Sequence, residues 1–500
     1  MTPFGEYLPD MPGDISTIIS GKNLYPRATG TYGSVAAFAT AVASLAARCQ
    51  GSLTALDSAG NVSVWAGTAT KLYKEAGAGA STFSDVSIVA GYTTGSTESW
   101  EFAQYGQKVF ASNFADPIQT YTLGTSTLFA NLSATAPKAR HIAVVNNFLM
   151  AGNTFDATDS NQPDRLWWSA IGDPTNWPTP ATSAAAAVQS GFINIRGPGG
   201  WIQGIAPRIG ALDAIVVQER ALLRCQYVGS PDVFAIQPLE GGRGSPAPNS
   251  ITAFGGFMFY LGEDGFYACD GAQSIPIGAG KVDKTFWANV NQNFMNRICG
   301  VFDPINHLWL VGYPSVSSTS GNIDKILAFS PITKRWAPPW DVSIEWLTKL
   351  GSIGYTLEQL DAFGTMETLP ASLDSRVWAG SGKPVLGGFN TSHVLGFFPG
   401  STTEAFLETG SVDGGQTRYV VKGIRPLVEG TTATTTCKIG YRDSKVGAIS
   451  YTAENSANRA GIIPFRLNTR YPSVYTRIAA GGDWEHLVGF DLDMATGGKL

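Results

Sequence analysis

The sequence predicts an all-β protein: a β-propeller of about seven blades with a C-terminal β domain and few short helices. Three observations carry that expectation. Short runs rich in Val, Ile, Phe, Tyr and Trp, bounded by Gly, Asp, Asn and Pro, recur in pairs along the chain, which is the mark of β-hairpins. The second runs of successive pairs start 43 to 67 residues apart, near or above the span of a four-stranded propeller blade. The 500 residues include 58 Gly and 28 Pro and are 44% hydrophobic, so the chain is turn-rich, can bury a large core and is not disordered.

Seven pairs follow in order. The first runs are VWAG (64–67), VFAS (109–112), FLMAG (148–152), AIVVQ (214–218), FMFYLG (257–262), HLWLVG (307–312) and VWAG (377–380). Their partners are KLYK (71–74), IQTYTL (118–123), RLWWSA (165–170), LLRCQY (222–227), GFYACD (265–270), ILAFS (326–330) and HVLGFF (393–398). Glu263-Asp264-Gly265 supplies the clearest tight turn, because Gly reaches backbone angles closed to other residues. DATDSNQPD (156–164) and SVSSTSGNID (315–324) read as insertions that lengthen their units. A pair of β-sandwiches would also space strands regularly. The pairs run unbroken through most of the chain, which favours a propeller spanning 36–400.

Two segments predict helices. In 281–298, Val282, Phe286, Val290, Phe294 and Ile298 recur every four residues and form one apolar stripe. The short LEQLDAF (357–363) is the other. Residues 1–35, with Pro3, Pro9, Pro12 and Pro26, read as an extended N-terminal arm. Residues 401–500 carry longer alternating strands, in 427–443 and 471–494, and read as a separate β domain or a sheet that closes the propeller.

Charge and motif exclude several functions. Lys and Arg total 34 against 39 Asp and Glu, a net charge of −5, and only 15% of residues are charged. A basic nucleic-acid-binding domain is excluded, since its affinity comes from neutralising phosphates. A surface of Ser, Thr, Gly and Ala suits contact with other protein. The cysteines Cys49, Cys225, Cys269, Cys299 and Cys437 form no C-x-x-C pair and read as reduced, buried apolar groups, which fits assembly in a cytoplasm. The longest apolar run, 35–47, is too short to cross a bilayer and starts too late for a secretory signal.

No phosphate loop, nucleophile elbow or zinc helix motif occurs; at Gly280-Lys281 the required first Gly is Ile275. His141, His307, His393 and His486 are scattered, and His307 and His393 open expected strands. SVDGGQTR (411–418) matches the Asp-box of sialidase-type propellers at every fixed position except the last, where Arg418 replaces Trp. That box is a hairpin turn in which Asp413 accepts backbone N–H groups, and it is structural. A sialidase also needs an arginine cluster and a tyrosine nucleophile paired with a carboxylate; Ile424-Arg425-Pro426 is only a fragment of the arginine motif. Glu358 and Asp361, and Asp491 and Asp493, read as solvated turn carboxylates. DATDSNQPD lacks calcium-loop spacing. Trp167, Trp168 and Trp177 read as blade core around a GDP turn, with a sugar platform or subunit contact as the alternative.

The order of these units resembles a family. A Pro-rich arm precedes AGTATKLY (66–73), WWSAIGDPTNWP (167–178), IQGIAPRIGALDAIVVQERALLRCQY (202–227), FYLGEDGFYACDG (259–271), RICGVFDPINHLWLVGYP (297–314) and VGFDLDM (488–494). From about residue 60 to 490 the chain is similar to the tail hub, or nozzle, proteins of short-tailed bacteriophages, also called packaged-DNA stabilisation proteins. The resemblance implies a structural virion protein: a hexameric ring that extends the portal and adaptor channel, retains packaged DNA and conducts it during ejection. It implies contacts with portal-complex, adaptor and tail fibre or spike proteins, with double-stranded DNA passing through the lumen without sequence-specific binding. It implies no membrane insertion, no enzymatic activity and no catalytic, cofactor-binding or metal-binding residues. The acidic balance suits a lumen that does not grip phosphates; a lumen lined by Lys and Arg would overturn that idea. The alternative in the same class is another phage part, a tail-tip or receptor-binding subunit, and the reading from another class is a propeller glycosidase, sialidase-like, or a lectin.

Overall fold

The computed structural model describes residues 1–75, 82–351, 354, 360–361, 364–369, 371–375, 378, 384–413 and 415–499. Seven antiparallel blades close into a propeller. Blades 1 to 5 are separate four-stranded sheets whose innermost strands are Ser52–Leu56, Glu101–Tyr105, Lys138–Val145, Ile202–Ile209 and Thr252–Phe254. Blades 6 and 7 share one strand, Arg335–Gly351. Its first half pairs with Ile323–Ser330 as the outer strand of blade 6, and its second half pairs with Pro384–Asn390 as the inner strand of blade 7. Cys299–Asp303 is the inner strand of blade 6, and each inner strand packs on the next until Arg335–Gly351 meets Ser52–Leu56.

The ring is closed by sequence-distant pairing. Ala39–Ser44 forms the outer strand of blade 7 against Val394–Phe397, with Phe397 opposite Ala39. Chain that precedes blade 1 therefore completes the last blade, and no blade edge is left open between first and last. Apolar clusters fill the wedges between neighbours, such as Trp65, Trp100, Val109 and Tyr121 between blades 1 and 2.

Six of the seven expected pairs are the second and third strands of successive blades, as in Val62–Gly67 with Leu72–Glu75 and Leu308–Tyr313 with Ile323–Ser330. In the seventh, the first run lies outside the described residues except for Trp378, which sits buried in a turn. Pro384–Asn390 takes that strand's place and pairs with Val394–Phe397. DATDSNQPD is the turn of a long hairpin, Phe148–Asp156 to Ser160–Trp168, whereas 315–324 is a loop of blade 6 up to residue 322, its last two residues opening the strand Ile323–Ser330. At Glu263-Asp264-Gly265 a side chain on Gly265 would strike the Asp283 carboxylate, so the turn requires Gly.

The helical expectations need correction. The stripe over 281–298 forms one helix only for Asp283–Asn289. The chain turns extended at Val290, and Asn291 caps a separate 3-10 turn, Gln292–Arg297, by accepting from the Asn293 N–H. Val282, Phe286, Val290 and Ile298 are all buried, so the stripe reports burial and not a continuous helix. Of 357–363, only Leu360 and Asp361 lie within the described residues. A short helix, Ser183–Ala187, follows Thr182, whose hydroxyl caps the Ala185 N–H.

Two six-stranded sheets pack as a sandwich beside the propeller. One is built on Thr417–Gly430 paired with Trp484–Lys499, and the other on Ala405–Thr409, Ser473–Ile478 and Thr435–Tyr441. The first 35 residues are not a free arm. Thr2–Pro3, Leu24–Pro26 and Tyr32–Ser34 join the first sheet, and Ile18–Lys22 joins the second. Phe4, Ile18, Leu24 and Tyr32 are buried in the sandwich core, which explains why a Pro-rich segment is ordered. The same segment ties the sandwich to the propeller. Asp10 accepts from the Lys284 and Thr285 N–H groups at 2.7 and 2.8 Å, capping the Asp283–Asn289 helix from a distance. Asn23 accepts from the Asp341 N–H at 2.7 Å and donates to the Glu404 carbonyl at 2.8 Å.

Candidate site at the capped channel mouth

The inner strands of six blades, with the segment that leads into the inner strand of blade 5, line a central channel. Loops that lead into those strands gather at one end of it. Residues 93–100, which lead into blade 2, cross this mouth. The Gln50 side chain donates to the carbonyls of Gly95 and Glu98 at 2.8 and 2.9 Å. Arg48 donates to the Ser96 carbonyl at 3.2 Å, and Asn296 donates to that of Thr97 at 3.2 Å. Ser99 donates to Asn249 Oδ1 at 3.1 Å, and Asn249 in turn donates to the Asn296 carbonyl at 2.9 Å. The segment is thus bonded to chain that enters blades 1, 5 and 6. Blades 5 and 6 lie across the ring from blade 2, so these direct bonds span the axis and cap the channel. A cavity of about 220 Å³ remains beneath the cap.

Charged groups at the mouth occur in pairs. Arg140 of blade 3 grips both oxygens of Glu98, at 2.9 and 3.2 Å, and its guanidinium lies 4.3 Å from the ring centre of Phe114. Trp201, 47% exposed, lies 5.7 Å from the same guanidinium. Deeper in, His141 Nδ1 meets Glu101 Oε2 at 2.9 Å. Glu345, on the shared strand, is buried; it accepts from the Cys49 N–H at 2.7 Å, and its other oxygen meets His393 Nδ1 at 2.8 Å. Burial pushes the Glu345 pKa up, opposed by these two partners. Burial lowers the pKa of Arg48 and of Arg297, and for Arg48 the nearby Arg297 lowers it further. Burial raises the Cys299 thiol to about 12, which keeps it protonated and unreactive near neutrality.

The residues singled out from sequence fall elsewhere. Trp167 and Trp168 are buried on opposite faces of their strand, in the cores on either side of blade 3, and Trp177 is buried beside Trp167. In DATDSNQPD, Arg165 occupies the place of a cation: it binds Asp156 at 2.8 Å, Asp159 at 2.8 Å and Asn194 at 2.8 Å, and stacks on Phe192. SVDGGQTR is not a hairpin. It carries the chain from one sandwich sheet to the other, with Asp413 accepting from the Gly415 N–H at 3.1 Å. His307 and His393 sit in turns at φ +53° and +64°, not in strands. Asp491 pairs with the N-terminal amine at 2.8 Å, and Asp493 and Asp361 are exposed; Glu358 lies outside the described residues. All five cysteines are buried and free. Among the described residues no cluster of His, Cys, Asp or Glu is placed to hold a metal ion, and no helix is long and apolar enough to cross a membrane. The mouth residues Glu98, Arg140, Asn249 and Asn296 went unread because each comes from a different blade and none belongs to a local motif.

No family model and no curated protein matches the chain. Among solved structures it is similar to the computationally designed Ika8 protein, at 9% identity and TM-score 0.36, covering 72% of this chain and 100% of that one. It is also similar to an exo-β-1,3-galactanase from Phanerochaete chrysosporium, at 9% identity and TM-score 0.28, covering 82% and 98% of the two chains. A third is the dihydro-heme d1 dehydrogenase NirN, at 12% identity and TM-score 0.32, covering 84% and 73%. Two of these three are enzymes. That corrects the expectation that the chain is not an enzyme: a chain of this shape gives no ground for excluding catalysis. Likeness at this level transfers neither a reaction nor a residue.

Proposed function

We propose that this chain is a structural subunit of a phage tail that builds a ring with copies of itself, extends the portal and adaptor channel, and retains and then conducts packaged DNA. The observation that carries the reading is the capped mouth. With residues 93–100 bonded across the axis and about 220 Å³ left beneath them, working surface lies on the outside of the propeller and sandwich. DNA would pass between copies and not through a single propeller. The order of units along the sequence and the low share of charged residues in the chain point the same way. So does a groove of about 480 Å³ at the rim of blades 5 and 6, lined by Phe257, Phe259, Ile275, Pro276 and Pro331, where Phe257 and Ile275 stay exposed. Apolar surface of that kind is favoured by contact with protein.

A second reading, a propeller that binds or hydrolyses carbohydrate, is favoured by the half-exposed Trp201 ring beside Arg140, which in turn holds Glu98. Native mass determination with a sugar-hydrolysis screen separates the two. The ring reading expects a closed oligomer of about six copies. A stable monomer that cleaves a glycan, and loses that activity in Trp201→Ala, would replace the first reading with the second.

A further inference from the structure

The cavity of about 220 Å³ beneath the cap is lined by polar side chains that the protein uses only in part. His141, on the inner strand of blade 3, is 8% exposed. Its Nδ1 meets Glu101 Oε2, from the inner strand of blade 2, at 2.9 Å, and its Nε2 has no hydrogen bond among the described residues. A carboxylate only accepts, so the imidazole proton sits on Nδ1 and Nε2 is left as an acceptor. Glu101 Oε1 has no partner among the described residues either. Gln203, on the inner strand of blade 4, turns its amide nitrogen to Glu219 Oε1 at 3.4 Å, which leaves its own Oε1 as a third acceptor. All three residues line the cavity, and their strands pack side by side.

Such a set lacks donors. Glu101 is the one Asp, Glu, Lys or Arg in the lining among the described residues. Arg48 and Arg297 stand outside the lining and have the buried Glu345 carboxylate as counter-charge, while Arg140 is spent on Glu98. An ammonium group brings three N–H donors and the opposite charge, and its bonds to a carboxylate are among the stronger hydrogen bonds. Trp100, Phe102 and Trp346 add aromatic rings to the wall. The space suits one six-membered ring with its substituents, since benzene is held in a cavity of about 150 Å³. We propose that the channel cavity binds a small primary ammonium compound of single-ring size, held through its nitrogen by Glu101 and His141 with Gln203 as a further acceptor. The proposal does not rest on the ring reading and does not involve Trp201.

Calorimetric titration of the full chain with two matched pairs of probes tests it: cyclohexylammonium against cyclohexanol, and glucosamine against glucose. The expected result is one saturable site per chain for at least one ammonium probe, with its neutral counterpart at least tenfold weaker. Glu101→Gln, which keeps the shape and removes the charge, should weaken that binding at least tenfold. Glu485→Gln, on the exposed surface of the sandwich, should leave it unchanged. Gln203→Leu, expected to weaken binding as well, serves if Glu101→Gln does not fold. Absence of a saturable site for both ammonium probes, equal affinity for the neutral counterparts, or unchanged affinity in a folded variant of Glu101 or Gln203 overturns the proposal.

Discussion

Glu75 is a carboxyl with no outlet for a charge. It ends the third strand of blade 1, is 2% exposed, and its Oε2 is bonded to nothing. Burial raises its pKa from 4.5 to about 8. A folded-state pKa above the unfolded one means that the folded chain keeps a proton the unfolded chain releases. Stability attached to this group is therefore full below the lower value, falls as pH rises from 4.5 to about 8, and levels off above. The slope in that window is about 1.4 kcal/mol per pH unit. Glu75→Gln removes it, so urea midpoints at pH 5 and pH 8 should differ less in the variant than in the wild type. Equal differences would show that Glu75 does not titrate in this window. Glu345 is the contrasting case, a buried carboxyl with both oxygens used. Glu345→Ala leaves the Cys49 N–H buried without an acceptor and should cost about 1–3 kcal/mol. A lower urea midpoint at unchanged slope would register that loss.

At the scale of the element, two segments do work that their local sequence does not announce. The 93–100 cap is held mainly by side chains from other blades, and few of its backbone groups are locked in a ladder. Segments held in this way open at lower free energy than strands in a sheet. Asn249→Ala with Asn296→Ala should speed amide exchange in 93–100 and leave the blade strands protected. Unchanged exchange there would mean that the bonds across the axis do not hold the cap. Ala39–Ser44 closes blade 7, and the Glu345–Cys49 bond pins the chain just beyond it. The strands themselves were legible in the sequence, because two runs joined by a tight turn carry their pairing within a few residues. The 281–298 stripe misled, because burial against a curved core gives apolar spacing without demanding continuous helix.

For the whole molecule, the N-terminal residues weld the two halves together. Strands from 1–35 complete both sandwich sheets, Asp10 and Asn23 bond across the seam to the propeller, and Arg335 of the propeller donates back to the Gly30 carbonyl. Removing residues 1–22 would take Phe4 off Phe490 and Ile18 out of the sandwich core, and soluble yield should collapse. Ample soluble, folded protein from that truncation would show that the sandwich stands without these strands. Assembly belongs to this scale too. Images of the purified protein with a central opening wide enough for duplex DNA would support a ring, and that opening must lie between copies.

The sequence by itself determined the class of fold, the hairpin unit and its repetition. These rest on alternation and turn chemistry that act over a few neighbouring residues. Only the tertiary structure decided that the channel is capped and that the first residues belong to the last domain. Ser99 and Asn249 stand 150 residues apart, and Thr97 and Asn296 stand 199 apart. Bonds between such residues depend on how seven wedges close into a circle, a geometric condition on the whole chain that no short stretch of it encodes.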